Sequence, residues 1–241
     1  MRVLIHNQKG GVGKTTTAAN LGAALLRGRL ARHVVLADLD PQMHLTAMLT
    51  PARSTPDWTV SDWLAGRPGQ PVAIEGEKGL LLVPGTDAPV QNVAPQPDTS
   101  KKSWTLIDSA PAWSDHTAVL SHWAEIILCP LEPDFLGLSG VSRLLVRFAE
   151  IGVPRARLRF LLFRYSARLS VHRDVRAKLV ERLGPELVLP VTVRSSVRLS
   201  EAPGFGQTIF RHAPASTGCA DYTALARLLA RPAAQPSLRS A

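Results

Sequence analysis

Between Gln8 and Thr16 the chain reads QKGGVGKTT, which packs three glycines, two lysines and two threonines into nine residues. Glycines at 10, 11 and 13 let a backbone curl until several amides face one anion, and a helix opening directly behind them adds its positive end. The anion suited to that cradle is a di- or triphosphate. Lys14 would reach the β and γ phosphates, Thr15 would place its hydroxyl on Mg²⁺, and Thr16 would bond the α phosphate. The common loop, G-x-x-x-x-G-K-[ST], has a glycine where this chain has Gln8, and an additional cation, Lys9, follows at once.

Two other segments carry carboxylates where this chemistry needs them. VVLADLDPQ (34–42) supplies Asp38 and Asp40, and WTLIDSAP (104–111) supplies Asp108, each at the carboxyl end of an apolar run. A carboxylate in that place can hold the water shell of Mg²⁺, and one near the γ phosphate can orient an attacking water. Asp108, with Asp38 and Thr15, is expected at the metal, and Asp40 at the water.

The elements that must position these groups alternate along the chain. VLIH (3–6), VVLAD (34–38), LLLVP (80–84), WTLID (104–108), EIILCP (125–130) and LRFLLF (158–163) are short and apolar on both faces, as buried parallel strands require. Helical patterns lie between and after them at roughly 14–28, 115–123, 137–151, 171–183 and 219–230. The alternation predicts an α/β fold, a doubly wound, mostly parallel sheet flanked by helices, with ligands bound beyond the carboxyl ends of the strands. Residues 84–103, rich in proline and polar side chains, read as an exposed loop, and 232–241 as a flexible tail behind a single domain spanning 1–231.

The chain has 241 residues and 45% apolar content, enough for a full core. Cys129 and Cys219 stand far apart without a second pair, so neither a disulfide framework nor a cluster or zinc site is indicated, and a reducing compartment is expected. No apolar run approaches the ~18 residues of a membrane span, which points to a soluble cytoplasmic protein. Charge is divided unevenly. Residues 1–142 hold 11 Lys and Arg against 13 Asp and Glu, whereas 143–241 hold 17 against 6, nearly all of the cations being arginine. A basic half of this kind suits a polyanion such as DNA.

Together, KGGVGKTTTAAN (9–20), DLDPQ (38–42), LIDSAP (106–111) and VRLSEAP (197–203) resemble the ParA/Soj branch of the ParA/MinD deviant Walker ATPases, over a span from Met1 to about Ala230. The resemblance implies a cofactor set of ATP and Mg²⁺ cradled by Lys9, Gly10, Gly11, Val12, Gly13, Lys14, Thr15 and Thr16, with Lys9, Lys14 and Asp40 as the catalytic set. It also implies an ATP-dependent sandwich homodimer in which Lys9 crosses to the phosphates of the partner's ATP. Two facing triphosphates repel until their charge is neutralised, so a cation donated in trans couples pairing to nucleotide. Slow hydrolysis, stimulated by DNA and by a ParB-like or adaptor partner on the cargo, would then take the dimer apart over the nucleoid.

The resemblance further implies non-specific binding of double-stranded DNA through basic residues of the second half. Candidates are Arg164, Arg168, Arg173, Arg176, Arg194 and Arg211, with Lys178 and Arg182 on the same predicted helix as 173 and 176. Two loop arginines used by relatives fall on Ala215 and Thr217. Other departures are the proline-rich loop where a helix usually joins the strands at 80–84 and 104–108, and the lack of an adenine-side Asn or Thr near the end of LRFLLF. Glu201, Ala202 and Pro203 are expected to wall the base. A MinD-like membrane-positioning ATPase is the alternative. It needs an amphipathic C-terminal helix, but Leu225, Leu228 and Leu229 read as core contacts and Pro232 stops the helix, so no membrane partner is expected. An amide ligase or iron–sulfur carrier on the same scaffold lacks, respectively, an acid-substrate pocket and paired thiolates.

Overall fold

The computed structural model describes residues 1–50, 57–88, 93 and 102–231, with the Leu136 side chain excepted. Most of the proline-rich loop and the whole 232–241 tail fall outside the described residues. The first half of the chain runs β1 (Arg2–Ile5), α1 (Lys14–Arg27), β2 (His33–Leu39), α2 (His44–Leu49), α3 (Val60–Leu64), β3 (Val72–Ala73), β4 (Leu80–Val83) and β5 (Ser103–Ser109). It continues with α4 (Asp115–Trp123), β6 (Ile126–Leu131), α5 (Phe135–Glu150), β7 (Leu158–Tyr165), α6 (Ser170–Leu183) and β8 (Val188–Arg194). Three short or terminal helices close it: α7 (Val197–Glu201), α8 (Ile209–His212) and α9 (Thr217–Leu229).

The strands form one eight-stranded sheet in the order β3-β4-β2-β5-β1-β6-β7-β8, parallel except for β3, which runs antiparallel to β4. Alternate side chains of each strand feed opposite cores. Val3 and Ile5 join Leu106, Ile126 and Leu128 under α1, α2, α8 and α9, whereas Leu4 joins Ile107, Ile127 and Cys129 under α3, α4, α5 and α6. Both faces are therefore covered, which is the expected doubly wound architecture. In α9, Leu225 and Leu229 are fully buried in the first of these cores, as their spacing suggested. No helix among the described residues is long and apolar enough to cross a membrane.

Six strands and five helices stand within a few residues of their sequence positions, and α4 spans 115–123 as expected. β8 was not anticipated, because Pro190 interrupts VLPVTVR. An edge strand bonded on one side only can carry a proline, and β8 pairs with β7 alone. β3, α2, α3, α7 and α8 are six residues or shorter, too brief to display a period.

Candidate functional site

β1 lies at the centre of the sheet, with β5 on one side and β6 on the other, and the loop 6–13 leaves its carboxyl end. Gly11 and Gly13 take φ of 75° and 88°, left-handed values that side chains resist. At Gly13 the demand is also steric: a Cβ there would stand 2.5 Å from the Phe163 ring. α1 then begins at Lys14 with no side-chain cap and no acidic residue in its first turn, so its positive end faces outward unopposed. Above it opens a cavity of about 740 Å³, lined by Gly10, Gly11, Gly13, Lys14, Thr15 and Thr16, with Asp40, Gln42 and Pro111 on one side and Phe163, Arg164, Pro203 and Gly204 on the other.

Asp108, at the end of β5, is fully buried, and neither carboxylate oxygen has a hydrogen-bond partner. Burial first, and the neighbouring Asp38 second, push its pKa up to about 8; the Thr15 hydroxyl and the Lys14 ammonium pull it the other way. An orphaned carboxylate beside a threonine hydroxyl is a hard-oxygen set of the kind that suits Mg²⁺. Among the described residues no cluster of three His, Cys, Asp or Glu could cage a metal. Lys14 is buried as well, which lowers its pKa against the pull of Asp108 and Asp40, and its Nζ donates to the Lys9 carbonyl at 3.3 Å.

Asp38, expected at the metal, has both carboxylate oxygens engaged by donors of its own chain. Its Oδ2 accepts from the Thr46 amide at 2.8 Å and the Thr46 hydroxyl at 2.7 Å, and its Oδ1 from the Asp40 amide at 3.2 Å. A carboxylate engaged by three protein donors anchors α2 and shapes the Asp40 turn. Asp40 is itself nearly buried in the cavity wall, with Oδ1 accepting from the Gln42 amide at 3.0 Å.

Lys9 stands outside its own cavity. Its Nζ lies 2.9 Å from Asp134 Oδ2 and 3.4 Å from Glu132 Oε2, in a separate groove of about 350 Å³ that Val12, Leu131, Gly137 and Gly140 also line. The hydrogen bond to Asp134 is the main cause of a raised Lys9 pKa. On Asp134 partial burial works the other way, but the Gly137 amide and the Lys9 ammonium hold its pKa below the usual carboxylate range. Val12, expected in the cradle, faces this groove and is buried.

The model of the CobQ/CobB/MinD/ParA nucleotide binding domain matches residues 3–209. The chain belongs to this family. Among relatives of this CobQ/CobB/MinD/ParA chain, the chromosome-partitioning ATPase Soj of Thermus thermophilus is 35% identical over 238 residues, covering 93% of each chain. The chromosome partitioning protein ParA of Caulobacter vibrioides is 32% identical over 252 residues, covering 94% of this chain and 93% of its own. A solved structure of the septum site-determining protein MinD from Pyrococcus horikoshii, complexed with Mg-ADP, superposes with a TM-score of 0.69 at 21% identity over 93% of both chains. Its likeness is one of fold.

The remaining expectations divide within this CobQ/CobB/MinD/ParA framework. Pro203 lines the cavity, but Ala202 is buried behind it, and Glu201 turns away to Arg198 at 2.9 Å and His212 at 3.4 Å. The six candidate arginines do not share one surface. Arg164 is a wall of the cavity, paired with Glu132 at 2.8 Å. Arg194 is held by Asp221 through Nη2 at 2.7 Å and Nε at 3.0 Å. Arg211, on α8, bonds the Glu75 carbonyl at 2.6 Å, and α8 packs on the opposite face of the sheet from α6. Arg176 has its Nε buried. Arg168, just before α6, and Arg173, in its first turn, are exposed, with Lys178 and Arg182 also exposed farther along that helix. Sequence reasoning missed Glu132, Asp134 and Phe163. The first two carry the signal that found Asp40 and Asp108, carboxylates just past an apolar parallel strand.

His6, between β1 and the loop, is fully buried; its Nδ1 lies 2.7 Å from Ser109 Oγ and its ring meets the edges of Trp113 and Phe148. Burial, helped by Lys14, lowers its pKa to about 3. The unfolded chain therefore takes up a proton below pH 6.5 that the folded chain refuses. Stability from this group is complete above that value and is lost as pH falls toward 3, with a slope of about 1.4 kcal/mol per pH unit. His6→Ala is expected to lower stability at neutral pH but to flatten this acid limb, as urea titrations at a series of pH values will check.

Proposed function

We propose that the chain is a ParA-type ATPase: it binds Mg-ATP in the 740 Å³ cavity, pairs face to face with a second copy, holds DNA without sequence preference as a dimer, and is released from it when a cargo-bound partner triggers hydrolysis. Its cycle positions or partitions cargo over the nucleoid. The observation that carries the reading is the placement of Lys9. Its ammonium is tied to Asp134 and Glu132 and does not line its own cavity, which supports a role toward the phosphates of another molecule.

Roles follow from position. The loop amides and the start of α1 receive the phosphates, and Lys14 neutralises charge among them. Mg²⁺, when bound, supplies further neutralisation of the phosphate oxygens, with Thr15 and Asp108 as its protein-side contacts. Asp40 orients a water for attack. Support for partition comes from the similarity to Soj and ParA, both named for chromosome partitioning. Calorimetry with Mg-ATP tests the seat: Lys14→Gln is expected to weaken binding by at least about a hundredfold, through loss of a charged hydrogen-bond donor in a buried site. Unchanged affinity would refute it.

Exposed Arg168 and Arg173 are the members of the arginine set best placed for DNA. Replacing both with alanine is expected to leave ATP-dependent pairing intact, to weaken DNA binding by about tenfold or more, and to reduce the log–log salt slope by about two. Gel shifts over a range of salt measure both quantities; an unaltered slope removes the pair from the interface.

A further inference from the structure

The amino edge of the sheet, opposite the cavity, carries a row of cations. β4, β2 and β5 are neighbours and run parallel, with Val34 level with Leu80 and His33 level with Ser103. The residues that lead into these strands are thereby brought side by side. Arg32 donates its amide to the Lys102 carbonyl at 2.9 Å, and the Gly79 carbonyl, next to Lys78, accepts from the Val34 amide at 3.0 Å. Arg32, Lys78 and Lys102 are all exposed, as are Arg29 and His33. Among the described residues, none of Arg29, Arg32, Lys78 and Lys102 takes part in an ion pair. Two acids nearby are already engaged, Glu77 with Arg27 at 3.2 Å and Glu125 with Arg2 at 3.6 Å, while Glu75 stands exposed in the turn before Lys78 and offsets one charge.

Composition does not account for the row. It lies in the half of the chain where 11 Lys and Arg face 13 Asp and Glu. Arg29, just past the end of α1, answers the negative end of that helix, but Arg32, Lys78 and Lys102 lead into strands and have no such reason to be basic. The backbone is a second sign. Arg29 and Lys102 hold φ of 54° and 70°, left-handed values that glycine takes at less cost, so long cationic side chains are kept where a bare backbone would be easier.

Neighbouring strands about 4.8 Å apart spread the three cations over about 10 Å. At a rise of about 3.4 Å per nucleotide, that length matches about three successive phosphates of one duplex strand. A protein partner would need an apolar or aromatic anchor here, and a membrane an apolar wedge. Among the described residues the large apolar side chains that stand exposed are Val119, Phe135, Val146, Leu169, Val197 and Phe205, and none belongs to these loops. We propose that Arg32, Lys78 and Lys102, flanked by Arg29, form a contact for the phosphate backbone of duplex DNA, separate from the surface that carries Arg168 and Arg173. The row lies on the edge opposite the cavity, so it needs neither nucleotide nor pairing. Under the proposed face-to-face pairing, each copy presents its row outward, and one pair holds two duplex segments.

Fluorescence anisotropy of a labelled, mixed-sequence duplex with the full chain, without nucleotide and over a range of salt, tests this. The parent is expected to bind at low salt with a log–log slope of about two or more. Combining Arg32→Ala, Lys78→Ala and Lys102→Gly is expected to weaken this binding by about tenfold or more and to remove about two from the slope. Mg-ATP affinity of the same variant should stay within about twofold of the parent, the two sites being on opposite edges. Lys102→Gly suits the left-handed backbone, so its own urea midpoint should not fall, while its slope drops by about one. That single variant carries the test if the triple variant unfolds. The Arg168 and Arg173 double-alanine variant is expected to keep the nucleotide-free binding, so the two surfaces are read separately. A parent that binds no DNA without nucleotide, or an unaltered slope in the row variants, would overturn the inference. Loss of binding to phosphatidylserine vesicles or to polyglutamate, with DNA held as in the parent, would overturn it too and assign the row to a membrane or an acidic protein.

Discussion

Asp40→Ala is expected to leave Mg-ATP affinity within about threefold of the parent and to lower turnover by at least about a hundredfold, a loss in keeping with removal of a water-positioning group. Asp40 lies in the cavity wall, 9% exposed, with one oxygen held by the Gln42 amide. The other oxygen is therefore pre-aimed by a turn that Asp38 itself pins, through the Asp40 amide. Removing the carboxylate takes away negative charge near the phosphates, so binding has no electrostatic reason to weaken. Chemistry suffers, because a water without an acceptor is neither oriented nor polarised. The variant should accumulate as an ATP-bound dimer, visible as doubled mass by light scattering and as absent phosphate release. Parent-like phosphate release would move the water-orienting group elsewhere on the cavity wall.

The sequence disclosed the groups whose chemistry is local and concealed those whose role depends on what faces them. The phosphate loop is legible because glycine spacing, lysine and the helix behind it lie within one short run. The parallel strands are legible because burial on both faces leaves an unbroken apolar string. Asp38 shows the limit. Its position after an apolar strand is the same as that of Asp108, yet Thr46 donates twice to its Oδ2, and that donor comes from a helix too short to announce itself. Arg194 is similar: its charge was visible, but Asp221, the partner that holds it, arrives from α9, 27 residues away. Arg164 reads in the sequence as one of the DNA-binding candidates, whereas the break at the end of β7 turns it onto Phe163. Net charge survives such pairing as a sum over the half-chain, whereas the identity of the free cations does not.

Lys9→Ala is expected to bind Mg-ATP within about threefold of the parent and to remain monomeric by light scattering at ATP concentrations that pair the parent. The ammonium does not line its own cavity, so under the proposed pairing its loss is expected at a second molecule's phosphates rather than at its own. In the free chain this cation already has two carboxylate partners, and the proposed pairing would have it leave them for a triphosphate. Half-exposed ion pairs of this sort contribute about 1 kcal/mol or less each, so leaving them costs little against the charge-assisted hydrogen bonds a triphosphate would offer. Weakening the cis partners should then ease pairing. Asp134→Asn suits the purpose, since an asparagine still caps α5 in place of the aspartate that accepts from Gly137, and only the charge is removed. This variant is expected to pair at about a fivefold lower concentration of a non-hydrolysable ATP analogue. Glu132→Gln is the less clean choice, because Glu132 also holds Arg164 at 2.8 Å. If Lys9→Ala paired as readily as the parent, the cation would be a surface charge tied to α5 and the face-to-face dimer would lose its clamp.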